Sequence, residues 1–190
     1  MSYPQTAPRQ DGAVPHPGAA PAKKPGAVVA MLVLTALAAL SGALGALLVY
    51  AGGKDLADEN IRNAVDNNPE TVGLPAGTTA ADIKAMSGPM WDEVISDWQS
   101  TMSSRAHIAM FFAVVLLLAL AARRCAIWPR VLITLTVLIW FMFPHALVLR
   151  DDPPNSLFLA SMAAVLVGFA ALVACWLPGV NRYRKELRAH

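Results

Sequence analysis

The sequence predicts an all-α fold: a four-helix transmembrane bundle with a small extracytoplasmic helical cap between spans 1 and 2. Three observations lead there. Four apolar runs recur along the chain, none holding an Asp, Glu, Lys or Arg within it, and the charges between them are sorted by sign. The chain has 190 residues, 56% hydrophobic and 15% charged, with mean hydropathy +0.47. A soluble domain carries about 25% charged residues, so the composition itself points to lipid as solvent.

Residues 1–26 are a tail holding Pro4, Pro8, Pro15, Pro17, Pro21 and Pro25, with little apolar mass to bury. That composition predicts a disordered, polyproline-like segment. Lys23 and Lys24 stand before the first span, 27–51. Its apolar run exceeds the roughly 7–15 residues of a secretory signal. Val49-Tyr50-Ala51 resembles a cleavage site, but the length favours an uncleaved signal anchor. At about 1.5 Å per residue the run covers the ~30 Å hydrocarbon core.

Residues 52–105 are the sizeable polar region. Leu56, Ile61, Ala64 and Val65 fall on one helical stripe, with Asp55 placed to cap its start. Asn67-Asn68-Pro69 ends that helix, because a residue preceding proline avoids the helical region. Leu74-Pro75-Ala76-Gly77 reads as a turn. Thr79 opens a second short helix with Asp82 three residues on, a capping box with Asp in the usual Glu position. Ser87-Gly88-Pro89 starts a third helix, on which Met90, Val94 and Trp98 share a stripe beside Trp91, Ile95 and Met102. It should run on into the second span, 106–122, which is short by itself. So little apolar mass cannot fold alone, so the cap must rest on the span ends.

Residues 123–130 form a basic turn. Span 3 is 131–149, with Pro144 inside it and expected to kink it. Residues 150–156 are a short polar turn, 157–177 the fourth span and 178–190 a basic tail.

Orientation follows from Lys and Arg, which cytoplasmic segments retain. The two tails and the 123–130 turn hold ten cations, among them Lys23, Lys24, Arg123, Arg124, Arg130, Arg182, Arg184 and Lys185, against two acids. The other segments hold five cations against eleven acids. Both termini are therefore expected in the cytoplasm of a plasma-membrane protein, with an acidic cap outside. Trp128 and Trp176 at one set of span ends, and Trp91 and Trp98 near the other, suit interfacial belts. Cys125 and Cys175, two residues near the cytoplasmic edge, are expected as reduced thiols.

Small residues recur every fourth position as Ala38, Gly42 and Ala46 in span 1, and as Ala160, Ala164 and Gly168 in span 4. Such stripes let helices approach closely in lipid. They predict packing of span 1 on span 4, or a homo-oligomer through one face.

The chemistry-bearing candidates are few. His107 opens span 2 and His145 lies late in span 3, so antiparallel neighbours would bring both toward the outer face. A pair of axial haem ligands, or a metal site assisted by methionine, is the sharp reading; interfacial histidines are the plain one, and no cofactor is expected. Asp92, Glu93 and Asp97 lack the loop spacing of a Ca²⁺ site and read as a solvated face. No phosphate-cradling loop, nucleophile elbow or zinc pattern occurs. Nothing points to nucleic acid. The absence of charge inside the spans weighs against a proton-coupled transporter or ion channel, though not against a carrier of apolar molecules.

The segments 23–34 (KKPGAVVAMLVL), 122–135 (ARRCAIWPRVLITL) and 174–186 (ACWLPGVNRYRKE) resemble a group of actinobacterial four-span membrane proteins with a Pro/Gly-rich tail. The resemblance implies the four-span architecture and carries no catalytic residues; the cap here is longer than that group's loops. The function expected is that of a non-enzymatic membrane protein acting through a membrane-protein partner or a second copy. The alternative is a small carrier, or an accessory subunit of a larger complex, with or without bound haem or metal.

Overall fold

The computed structural model describes residues 24–121 and 127–189, which are 89% helical with no strand among them. Most of the tail, Arg123, Arg124 and Cys125 lie outside the described residues, as does Lys23.

Helix α1 (Gly26–Asn67) carries the first span and continues into the cap. Its one non-helical residue is Gly53, at φ 50° and ψ −129°. That conformation is closed to residues with a Cβ, so the Gly52-Gly53 pair is where a rigid span can turn into a differently aimed cap helix. Asp55, expected at the start of the cap helix, stands two residues after that break, in the first turn of the cap half of α1. A 3₁₀ turn (Pro69–Val72) follows Asn68.

Helix α2 (Ala80–Ser87) begins with the reciprocal bonds of a capping box. Asp82 N–H donates to Thr79 Oγ1 at 3.2 Å, and Thr79 N–H donates to Asp82 Oδ2 at 3.2 Å. Asp thus performs the role usually given to Glu or Gln. The N–H of Ala80 donates to Asp66 at 2.7 Å, which ties α2 to α1.

Helix α3 (Met90–Ala121) unites the third cap helix with the second span. Pro89 stands just before it, its carbonyl accepting from Asp92 N–H. The third span comprises α4 (Ile127–Leu135), a π-helical segment (Thr136–Phe141) and α5 (Met142–Arg150). Proline lacks an N–H, and its ring collides with the carbonyl four residues back. The wide π turns lie immediately before Pro144 and absorb that mismatch by looping in extra backbone; Met142 N–H reaches back five residues to Val137.

Trp128, Pro129 and Arg130 lie within α4, so the described part of the expected 123–130 turn is helical. Helix α6 (Asn155–Cys175) is the fourth span. The basic tail is folded as helix α7 (Pro178–Ala189). Its Val180 and Tyr183, three residues apart, are buried against the span ends, and that contact is what makes so polar a segment helical.

Helix α1 lies against both α3 and α6 along its length, and the third span closes the ring between α3 and α6. In each apolar window only 28–39% of residues are buried. Val33, Leu40, Leu44, Leu47, Phe111, Leu118, Leu159 and Leu166 point outward at 50–66% exposure. A belt of that extent is not sustained in water by a soluble protein; four such rods define a membrane-embedded bundle.

The core has two parts. One, at the end carrying the termini, joins Val28, Met31, Leu116, Ile133, Val137, Val180 and Tyr183. The other begins at Ala46 and Val49 in the spans and runs into the cap through Leu56, Val65, Ala80, Trp91, Ile95 and Met102. The cap therefore shares its core with the spans.

Candidate functional site: the cap groove

A groove of about 680 Å³ opens in the cap. Its walls are Ile61, Ala64 and Val65 of α1, Val72 and Leu74 of the connection, Ile83 and Ser87 of α2, and Met90, Trp91, Val94 and Trp98 of α3. Its polar end is Asn60 with Arg150, Asp151 and Asp152, from the turn joining spans 3 and 4.

The sequence builds this shape locally. On α3, Trp91, Ile95 and Met102 face the core at 4–5% exposure. Met90 and Val94, one position away, are left lining the groove at 64% and 50%. Trp91 is thus no interfacial belt residue. Its ring is buried in the cap and its Nε1–H donates to Asp58 at 2.8 Å, which removes the cost of burying that donor. Ser87 Oγ, on the groove wall, is buried without a hydrogen-bond partner among the described residues.

The polar end is held by one side chain. Asn60 is 3% exposed. Its Nδ2 donates to the carbonyls of Asp151 at 2.6 Å and Asp152 at 3.0 Å, while its Oδ1 accepts from Trp98 Nε1–H at 2.7 Å. Arg105 donates to the Asp151 carboxylate and lies over the Trp98 ring, 5.2 Å from its centroid. Asn68 donates to Asp152 Oδ2 at 2.9 Å. Asp152 takes φ 47°, unusual for a residue with a side chain; the bonds from Asn60 and Asn68 hold it there. Three separate elements are thereby locked into one rim. Asn60 lies amid the apolar positions 56, 57, 61, 64 and 65, and an asparagine in such a stripe is the signal that sequence reading passed over.

The other candidates fall elsewhere. Ala38, Gly42 and Ala46 are buried on α1, and Ala160, Ala164 and Gly168 on α6, the helix packed against it. Gly45 lies there too, a Cβ at that position meeting Ala160 Cβ at 3.7 Å. His107 and His145 occupy different settings. His107 is exposed, edge-on to Tyr50, its Nδ1 2.6 Å from Ser103 O. His145 is buried, its Nδ1 3.3 Å from Ser161 Oγ, beside a cavity of about 20 Å³ that His107 does not line. That volume is of the order of one water. Asp92, Glu93 and Asp97 are exposed. No group of three His, Cys, Asp or Glu that could hold a metal occurs among the described residues.

At the opposite end of the bundle, Arg130 is 1% exposed. Its guanidinium donates to Asn181 Oδ1 at 2.8 Å and lies 4.6 Å from the Trp176 ring centroid. Arg182 and Lys185 on α7 are exposed, Arg184 and Lys24 are half-buried and exposed respectively, and all belong to that same end.

Bundle and groove together define a class, a membrane-embedded four-helix protein with a folded cap. No family model matches the chain, and no curated protein or solved structure matches it either.

Proposed function

We propose that this is a non-enzymatic plasma-membrane protein that works by gripping a partner in its cap groove. Its termini face the cytoplasm and the cap faces outward. The excess of Lys and Arg at the terminal end supports that orientation.

The observation that carries the partner reading is the groove. Its volume of about 680 Å³ lies within the about 300–1,000 Å³ of ligand sites. Its rim continues outward as exposed Val72, Met90 and Val94, with Met86 nearby at 77% exposure. These residues lie outside the apolar span windows, so lipid tails do not cover them. Exposed apolar clusters rimmed by charge mark interaction sites, and methionine adapts to varied partner shapes. The occupant is an amphipathic segment of a second membrane protein. Its apolar side enters between Trp91, Val94 and Trp98, and its polar side meets Ser87 and Asp152.

Photocrosslinking tests this. A photoreactive residue at Met90 or Val94 is expected to yield one adduct of defined mass in native membranes, and the same residue at exposed Asp97 none. Absence of adducts at 90 and 94, or equal labelling at 97, contradicts the reading. An adduct of twice the chain's own mass replaces the second protein by a second copy.

A further inference from the structure

The terminal end of the bundle holds a further cavity, independent of the cap. It measures about 300 Å³ and lies between α1, α3, α4 and α7. Its walls divide by chemistry. Val28, Met31, Leu32, Leu120 and Ile133 are apolar, whereas exposed Lys24 and the buried Arg130 and Tyr183 complete the wall. The cations enter from separate elements, the residues leading into α1 and helix α4. Arg130 is positioned by the Asn181 bond and the Trp176 ring described above, so its charge is held at one place and does not sweep the surface.

Depth is fixed by two indoles at the same end. Trp128 and Trp176 are 59% and 46% exposed, and tryptophan settles at headgroup level. The apolar walls adjoin the lipid-facing belt, since Val28 and Leu32 neighbour the exposed Val29 and Val33, and Leu120 follows the exposed Leu117 and Leu118 on α3.

From this we infer a binding site for an anionic phospholipid of the surrounding leaflet. The phosphate is met by Lys24 and attracted by the charge of Arg130 buried behind the wall, Tyr183 Oη supplies a hydrogen bond, and the upper acyl chain lies along Met31, Leu32 and Leu120. Charge complementarity selects the anionic class, because basic pockets between membrane helices favour acidic headgroups. The apolar walls select a lipid over free phosphate, which has nothing to place on them. Arg130 so held is a binding residue of this site as well as a marker of orientation.

The test uses the full chain in a neutral detergent, titrated with dioctanoyl phosphatidylglycerol, dioctanoyl phosphatidylcholine or inorganic phosphate. Thermal unfolding and native mass spectrometry are read together. Phosphatidylglycerol is expected to raise Tm saturably and remain as a one-to-one adduct, with phosphatidylcholine and phosphate far weaker. Lys24→Gln is expected to weaken phosphatidylglycerol about fivefold, the worth of one cation near an anionic headgroup. Lys24 is exposed, so this variant folds even if Arg130→Gln does not. Equal effects of the two lipids overturn the proposal, as does phosphate matching phosphatidylglycerol, or Lys24→Gln leaving its affinity unchanged.

Discussion

Asn60 is the side chain on which the cap depends most. Replacing it by alanine leaves the Trp98 N–H without its acceptor and two carbonyls of the 151–152 turn without their donor. An orphaned buried polar group costs about 1–3 kcal/mol. Because the rim is partly wet, Asn60→Ala is expected to destabilise the protein by about 3 kcal/mol in total, seen as a lowered unfolding midpoint in detergent. A loss below about 0.5 kcal/mol, the range of ordinary surface changes, would mean the network does not hold the cap. Asp82 offers a check by pH. The Thr79 hydroxyl, donating at 2.6 Å, and then the Thr79 N–H favour its charged form and hold its pKa below the ordinary 3.8. A depressed carboxylate pKa means that the cap's contribution is complete above pH 3.8 and fades as pH falls through the lower folded value. An NMR titration of the Asp82 carboxyl is expected to give a midpoint under 3.8, moving up in Thr79→Val. A midpoint at or above the ordinary value contradicts the capping account.

Among the elements, α1 carries both the span and the cap, and Gly53 is its joint. A Cβ there would meet nothing nearer than Gln99 Nε2 at 3.7 Å. The expected cost of Gly53→Ala, about 2 kcal/mol, is therefore backbone strain and not a clash. Gly53→Ala should loosen the cap selectively, raising amide exchange across 54–67 while 26–52 stays protected; uniform protection would refute this. Where α1 meets α6, the opposite logic holds at Gly45. Alanine fits at ordinary contact distance from Ala160, so Gly45→Ala is expected within about 0.5 kcal/mol of the parent. Gly45→Leu should overpack the face by about 1–3 kcal/mol, lowering Tm. Equal melting of the two variants would show that the close approach is not there. These features were open to sequence reading because their causes are local. Small residues recur every fourth position in spans 1 and 4, Thr79 and Asp82 stand three apart, and no charge falls within the runs. What escaped it depends on distant partners. The π segment shows only as a proline, α7 is helical because Val180 and Tyr183 find the span ends, and the groove exists because the 150–152 turn folds back onto Asn60.

For the molecule as a whole, two solvents act on one chain. Lipid bathes the exposed Leu, Val and Phe of the spans, where apolar packing gains little and close contact between small residues supplies the cohesion. Water bathes the cap, where burying Trp91 and Ile95 is worth about 2–3 kcal/mol each. The shared core through Ala46, Val49 and Met102 joins the two regimes, so cap and spans are packed as one body. The proposed function requires the cap and the termini to lie on opposite sides of a bilayer, the cap outermost. The direct measurement labels single cysteines with a membrane-impermeant maleimide in a Cys125→Ser, Cys175→Ser background. Asp97→Cys is expected to react in intact cells, and Leu187→Cys only after the membrane is opened. Reaction of Leu187→Cys in intact cells with Asp97→Cys protected, or recovery of the protein in the soluble fraction without detergent, would contradict it.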